Sequence, residues 1–161
     1  MKRILVAYAT MAGSSAEVAA AVAEELERAG LEADVRPIAQ VASLDGYGGL
    51  VVGGPMIMGW HREARRFLRA QRRALLHVPL AVFVTAISLT QPEERVVDGV
   101  PVFVDEALPG PPAQPGRLSF RERYAQLQRY VRPILKAARP ARPVSVGLFA
   151  VRLEYGRLKP W

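Results

Sequence analysis

The strongest constraint on the fold of this chain is the alternation of short apolar runs with segments of helical periodicity. Four apolar runs lie at residues 3–9, 31–36, 50–53 and 79–86. Between the first two runs, Val18, Val22 and Leu26 recur at helical spacing before Gly30, and helical spacing returns at 61–76. Strands that alternate with helices predict an α/β fold whose parallel sheet is covered on both faces. In such folds, ligands bind beyond the carboxyl ends of the strands.

Residues 91–117 interrupt this alternation. Prolines and glycines crowd the stretch around Gly110-Pro111-Pro112, although Val100–Val104 predicts a short strand. We interpret the segment as an irregular insertion within one domain that spans residues 1–161, because a chain of this length is expected to build a single core.

Helical spacing resumes at Ser119 and continues to Leu135, and Pro133 is expected to kink this helix. Residues 144–150 predict a fifth strand. A doubly wound sheet would then add a last covering helix, but the sequence stops at Trp161. We therefore expect either that the sequence is cut short, so that the last helix is missing, or that this face of the sheet is covered in another way.

The composition excludes several kinds of chemistry. Cysteine is absent, which removes disulfides, thiolate metal sites and cysteine nucleophiles, so any redox chemistry must come from a bound cofactor. His61 and His77 have no third ligand at a recognisable spacing, and no metal site is expected. No apolar stretch is long enough to span a bilayer, and the N-terminal run is too short for a signal peptide. These features predict a cytoplasmic location.

The loop that follows the first run is the sharpest functional feature. It consists of Thr10, Met11, Ala12, Gly13, Ser14 and Ser15. Hydroxyls and backbone N–H groups at the start of a helix predict a phosphate pocket, and Gly13 allows a close approach of the backbone. Ser14 and Glu17 also fit a capping box. In the alternative interpretation, the loop only turns the chain and caps the helix.

The loop does not match the common nucleotide motifs. It lacks the lysine of a P-loop and the spaced glycines of a dinucleotide fingerprint. A response-regulator receiver would need acidic residues where this chain has Thr10 and Gly53. Strand, loop and helix together resemble the phosphate loop of flavodoxins, Thr/Ser-x-Thr-Gly-x-Thr/Ser. Thr10, Gly13 and Ser15 match this motif, whereas Ala12 departs from it and removes one hydroxyl donor.

Two later loops resemble those that hold the flavin ring in flavodoxins. The first follows Gly53-Gly54 and consists of Pro55, Met56, Ile57, Met58, Gly59 and Trp60. The resemblance implies that Trp60 lies against the ring; alternatively, these residues only pack within the loop. The second consists of Thr85, Ala86, Ile87 and Ser88. It lacks the usual stacking tyrosine, so that face of the ring is expected to be open to a substrate or covered by the 91–117 insertion.

The resemblance implies a flavodoxin-like three-layer αβα sandwich with bound FMN and a doubly wound, five-stranded parallel sheet of order 2-1-3-4-5. Residues 144–150 and 153–158 resemble a flavodoxin subgroup that includes the menaquinone-linked protoporphyrinogen IX dehydrogenase. This implies an oxidoreductase that passes electrons or hydride through FMN, with a redox protein, a quinone or an anionic small molecule as its partner. The alternative is a non-enzymatic electron carrier, and a domain that lost its cofactor is a third hypothesis.

The net charge of +7 and the pI near 10.4 favour acidic partners. The helix after the first ring loop carries one acid, Glu63, among Arg62, Arg65, Arg66, Arg69, Arg72 and Arg73. The conservative interpretation is a solvated surface. The functional interpretation is a surface for an acidic protein, for porphyrin propionates or for the anionic inner face of the membrane, and no nucleic acid is expected. His61 and His77 are expected at helix ends.

Overall fold

The structure, a computed structural model, describes residues 3–10, 13–57, 59–90, 95–110, 119, 122–123 and 125–151. The strands are β1 (Arg3–Tyr8), β2 (Ala33–Pro37), β3 (Tyr47–Pro55), β4 (Leu80–Ala86), β5 (Leu89–Thr90), β6 (Val96–Val97), β7 (Val100–Val104), β8 (Pro109–Gly110) and β9 (Ser145–Ala150). The helices are α1 (Ser14–Arg28), α2 (Arg62–Ala70) and α3 (Leu127–Ala138). The expectations about residues 153–158 and a last helix lie outside the described residues.

The main sheet has seven strands in the order β2-β1-β3-β4-β9-β7-β6. The pairs from β2 through β9 are parallel, and β9 is the fifth strand predicted from the sequence. This part of the sheet therefore has the predicted order 2-1-3-4-5. Beyond it, β7 pairs with β9 in parallel and β6 pairs with β7 antiparallel. The predicted count of five strands was wrong, because β6 and β7 extend the sheet.

The two additional strands come from the segment that the sequence marked as an irregular insertion, and β7 confirms the short strand predicted at Val100–Val104. Along β7, buried Val100, Val102 and Val104 alternate with exposed Pro101 and Phe103. This period of two is typical of a strand with one covered face. A second, two-stranded sheet pairs β5 with β8. The described part of the segment is therefore largely strand, whereas 91–94 and 111–117 lie outside the described residues.

The core explains why the first apolar run is continuous. Leu5 and Ala7 belong to one buried cluster, which α2 and α3 cover, and Val6 belongs to a second cluster beneath α1. Successive side chains of a strand point to opposite faces, so a strand with helices on both sides must be apolar at every position. On the α1 side, Ala19 and Ala23 pack near Phe83. The three-layer αβα sandwich is confirmed.

Helix α1 ends as predicted but begins differently. Gly13 is its N-cap, at φ 86°, and the Glu17 N–H donates to the Gly13 carbonyl at 3.2 Å. Ser14 is the first helical residue and makes no side-chain cap, so the predicted capping box was wrong. At the other end, Gly30 has φ 87°, and the Leu31 N–H donates to the Leu26 carbonyl at 3.0 Å. This is a Schellman termination, which favours glycine at this position.

The other helices are shorter than predicted. Helix α2 ends at Ala70, and Leu75 reaches the core from a separate 3₁₀ turn, Ala74–Leu76. The apolar spacing correctly predicted which side chains are buried, but it did not predict that the α-helix stops before the last of them. Helical structure does resume at Ser119, since Glu122 and Arg123 are helical and the Arg123 N–H donates to the Ser119 carbonyl at 3.0 Å, but the backbone is not helical at Ala125 and Gln126. Helix α3 then begins at Leu127 and contains Pro133. Within the described ranges, none of the helices is long and apolar enough to cross a membrane.

A polar cluster lies at the amino-terminal edge of the sheet. The Tyr47 hydroxyl donates to Asp34 Oδ2 at 2.5 Å, and Arg36 Nε donates to the same oxygen at 2.8 Å. The guanidinium carbon of Arg3 lies 5.8 Å from the centre of the Tyr47 ring. The hydrogen bond from Tyr47, together with Arg36, lowers the pKa of Asp34, although partial burial opposes this shift. The same bond raises the pKa of Tyr47.

Candidate functional site

The three loops singled out from the sequence follow adjacent strands at the carboxyl edge of the sheet. In the strand register, Tyr8 of β1 pairs with Gly53 of β3, and Pro55 of β3 pairs with Thr85 of β4. The Met56 N–H donates to the Thr85 carbonyl at 2.8 Å and so joins the second loop to the third. Because β1 has β2 on one side and β3 on the other, the loops surround the switch point where doubly wound sheets bind ligands.

The first loop presents hydrogen-bond donors at the start of α1. The Gly13 N–H donates to Thr10 Oγ1 at 2.8 Å, which leaves the Thr10 hydroxyl proton for another acceptor. The first α-helical bond starts at the Glu17 N–H, so the N–H groups of Ser14, Ser15 and Ala16 have no carbonyl one turn before them in the helix. Donors in this arrangement fit a phosphate group. Met11 and Ala12 lie outside the described residues.

A buried pair of hydroxyls ties the first loop to the third. Ser15 and Thr85 are each 1% exposed, and Ser15 Oγ lies 3.0 Å from Thr85 Oγ1. The sequence suggested that the Ser15 hydroxyl faces a phosphate, but the structure turns it toward the end of β4. The hydroxyl of Ser15 therefore holds two loops together, while its backbone N–H belongs to the donor group at the helix start.

The second loop is a narrow hairpin. Met56 and Trp60 form an antiparallel bridge, and the His61 N–H closes the loop by donating to the Pro55 carbonyl at 3.0 Å. Gly59 has φ 123°, which an L side chain rarely adopts. Near the tip, Ile57 is 37% exposed. The hairpin thus presents an apolar side chain at the carboxyl edge; Met58 lies outside the described residues.

Trp60 lies inside the protein and offers no open ring face at the surface. It is 2% exposed, and its Nε1 donates to the Gly54 carbonyl at 3.2 Å. Met56, at 7% exposure, packs in the same core cluster. Trp60 therefore supports the hairpin from within, and its contact with a flavin ring stays a prediction.

The third loop combines a buried start with an exposed end. Thr85 and Ala86 are buried, whereas Ile87 is 53% exposed and Ser88 is also exposed. The Ser88 carbonyl accepts a hydrogen bond of 2.9 Å from the hydroxyl of Tyr130 on α3. The sequence did not single out Tyr130. The sequence feature that could have identified it is an aromatic residue with a polar hydroxyl, next to Val131 in a helix with a buried apolar face.

The predictions for the two histidines are confirmed. His61 is the N-cap of α2, where its Nδ1 accepts a hydrogen bond of 3.2 Å from the Glu63 N–H. His77 follows the 3₁₀ turn Ala74–Leu76 as its C-cap. Across the described part of the chain, no group of three His, Asp or Glu side chains is placed to hold a metal ion.

The charges divide between the two helical layers. Helices α2 and α3 pack together on one face of the sheet, and with the turn after α2 they expose Arg62, Arg66, Arg69, Arg72, Arg73, Arg129, Arg132 and Lys136. We call this set the basic layer. On the other face, α1 exposes Glu17, Glu24, Glu25 and Glu27. The helical layer next to the second and third loops is thus strongly cationic.

A comparison with known protein families identifies the family whose sequence pattern this chain matches. A family model described as a flavodoxin domain matches residues 5–161. A search of curated proteins found no match. The match covers all three loops and nearly the whole chain.

Proposed function

The chain belongs to the flavodoxin-domain family, and on that premise we propose that it binds FMN at the carboxyl edge of β1, β3 and β4 and serves as a redox protein. The observation that carries the proposal is the donor group at the start of α1. This donor group lies beside the second and third loops. The hydrogen bond from the Met56 N–H to the Thr85 carbonyl joins these two loops, and the hydroxyls of Ser15 and Thr85 join the third loop to the helix. Bound FMN would supply the transfer of electrons or hydride.

In this proposal the first loop holds the phosphate. The N–H groups of Ser14, Ser15 and Ala16 and the hydroxyl of Thr10 are the donors, and the positive end of the α1 dipole favours the anion. Met11 and Ala12 complete the loop in the chain. Since Ser15 uses its hydroxyl within the protein, the backbone carries more of the binding than in the flavodoxin motif, which has an additional hydroxyl at the position of Ala12.

The second and third loops hold the ring. The proposed contact residues are Pro55, Met56, Ile57, Met58, Gly59, Thr85, Ala86, Ile87 and Ser88. Ile57 and Ile87, which are exposed large apolar residues, supply apolar surface on the two loops. Trp60 acts from beneath by fixing the hairpin.

The finer proposal is an FMN-dependent oxidoreductase that resembles protoporphyrinogen dehydrogenase, located in the cytoplasm. The sequence suggests no acid–base pair or nucleophile beside the ring, so the protein would bind and orient FMN, exclude water and tune its electrostatics. The alternative is an electron carrier that docks a partner protein. Turnover with protoporphyrinogen IX and a quinone supports the oxidoreductase, and inertness of the FMN-loaded protein toward both supports the carrier.

The basic layer favours an anionic partner for either function. Its exposed cations outnumber the acids described beside them, of which Asp98 lies 3.8 Å from Arg132. We propose that an acidic redox protein docks here, next to the ring loops. Cosedimentation with phosphatidylserine vesicles, lost at high salt, would instead identify the membrane surface as the partner.

Titration of FMN with the purified protein tests the binding proposal. We expect quenched flavin fluorescence with a Kd of about 1 μM or tighter. Riboflavin, which lacks the phosphate, should bind at least about 100-fold more weakly, because each charge-assisted hydrogen bond contributes ~1.5–3 kcal/mol. Equal affinity for the two flavins would contradict the role of the α1 donors, and absence of binding would contradict the proposed function.

A further inference from the structure

We propose that Tyr130 is a positioning residue for the third loop and that its hydroxyl increases flavin affinity without touching the flavin. This inference rests on the proposed function. Tyr130 lies on α3, 7% exposed, and its hydroxyl donates to the Ser88 carbonyl at 2.9 Å. Ser88 ends the loop that is proposed to contact the ring, so the bond joins α3 directly to the backbone of the site.

The backbone after Ser88 is anchored in the same direction. The Thr90 N–H donates to the Ala125 carbonyl at 2.7 Å, and the Thr90 hydroxyl donates to the Glu122 carbonyl. Both acceptors lie in the segment that leads into α3. The end of the third loop is therefore held by α3 and the residues before it, in addition to the strands of the sheet.

The anchoring leaves the outer side of the loop available. Ile87 and Ser88 are exposed, while the carbonyl of Ser88 is occupied from the helix side. A loop fixed in this way loses less conformational entropy when a ligand binds than a loop that must first become ordered. Removal of the Tyr130 hydroxyl should therefore weaken the binding of the ring and leave the phosphate donors at α1 unchanged.

The decisive experiment compares two tyrosines that each donate one hydrogen bond from opposite edges of the sheet. Tyr130→Phe removes the bond to Ser88, and Tyr47→Phe removes the bond to Asp34, far from the three loops. We expect Tyr130→Phe to raise the Kd for both FMN and riboflavin about fivefold, the factor that corresponds to one net hydrogen bond. Tyr47→Phe should change neither Kd by more than about 1.5-fold, within the scatter expected for a distant site.

A second readout does not need the flavin. In the flavin-free protein, amide hydrogen exchange of residues 87–90 should be faster in Tyr130→Phe than in the wild type, while exchange in β1 and α1 stays unchanged. Thr90→Val, which removes the neighbouring tie to Glu122 while keeping the side-chain shape, should shift exchange and Kd in the same direction. This variant keeps the test open if Tyr130→Phe does not fold.

The outcomes separate the two proposals. If the wild type binds FMN but Tyr130→Phe and Thr90→Val behave like Tyr47→Phe, the positioning role is wrong and the flavin site stands. If the wild type binds neither flavin, the proposed function itself is wrong. A change in the Kd ratio of FMN to riboflavin in Tyr130→Phe would also overturn the inference, because it would place the effect at the phosphate end.

Discussion

The two edges of the sheet use similar polar groups for different purposes. At the amino edge, Tyr47, Asp34 and Arg36 satisfy one another, and Arg3 lies over the Tyr47 ring. At the carboxyl edge, the first backbone N–H groups of α1 have no acceptor within the helix. Saturated polar groups stabilise a fold, whereas donors left over at a helix start are available to a ligand.

The backbone adopts the same left-handed conformation at both ends of α1. Gly13 and Gly30 both have φ near +86°, at 86° and 87°, and flank the same helix. Gly13 shapes the proposed phosphate loop, whereas Gly30 completes a Schellman termination at the amino edge. The pair therefore allows the carboxyl and amino edges to be compared with a single type of substitution.

The largest effect is expected for Gly13→Val, with Gly30→Val as its matched control. Both substitutions place a β-branched residue in the left-handed region, which costs ~1–2 kcal/mol or more of the free energy of unfolding. Only Gly13→Val should also displace the phosphate donors, and we expect it to weaken FMN binding at least about 100-fold. Urea unfolding and FMN titration measure the two effects. Comparable loss of FMN affinity in Gly30→Val would show that helix stability, and not the loop, controls binding.

The next largest effect concerns Ser15 and Thr85. Ser15→Ala leaves the buried Thr85 hydroxyl without its partner and should lower the free energy of unfolding by ~1–3 kcal/mol. Thr85→Val should have a similar cost, and the double variant should lose less than the sum because neither hydroxyl then remains buried alone. A double-mutant cycle by urea unfolding measures the coupling. Additive losses would mean that the two hydroxyls stabilise the protein independently.

A substitution at the amino edge should lower the stability of the protein without changing its affinity for FMN. Tyr47→Phe is expected to lower the free energy of unfolding by ~1 kcal/mol at neutral pH, since its bond to the Asp34 carboxylate is partly exposed. FMN affinity should not change. A drop in FMN affinity in this variant would remove the functional distinction between the two edges.

The pKa shifts of Asp34 and Tyr47 predict the pH range over which their hydrogen bond stabilises the protein. The pKa of Asp34 is lowered in the folded protein, so its contribution is present above the unfolded value of about 4 and is lost as the pH falls through the folded pKa. The pKa of Tyr47 is raised, so its contribution is present below about 10 and is lost as the pH rises further. The difference between wild type and Tyr47→Phe should be a plateau between these limits. A difference that grows in acid would contradict the assignment.

Sequence patterns anticipated the carboxyl edge because local chemistry defines it. Apolar runs that end in Gly, Pro, Ser or Thr located the ends of β1, β3 and β4 and therefore the three loops. The tie between Ser15 and Thr85 was not predictable in the same way, since the two residues are 70 positions apart and neither is unusual in its own segment. The same holds for Tyr130 and Ser88.

The errors in the predicted elements also have physical causes. Ser14 and Glu17 satisfy the spacing of a capping box, but Gly13 in the left-handed region takes the N-cap position first. Residues 91–117 contain many prolines and glycines, yet the alternation of Val100, Val102 and Val104 buries one face of β7 against the protein. The strand at Val100–Val104 was therefore predicted correctly, whereas β6 and the addition of both strands to the main sheet were not, because the surrounding prolines and glycines indicated irregular structure.

The smallest expected effect sharpens the comparison within the amino edge. Arg36→Ala removes an ion pair whose side chains are 46% and 19% exposed, so it should lower the free energy of unfolding by less than Tyr47→Phe does. Arg28→Ala, which removes an i,i+3 pair that is 69% exposed on both sides, should cost less, ~0.3 kcal/mol. Both losses should shrink in 1 M salt, because screening weakens exposed pairs. If Arg36→Ala instead costs as much as Tyr47→Phe and is insensitive to salt, the cation is an essential part of the Asp34 cluster, and the amino edge depends on charge as much as on its hydrogen bond.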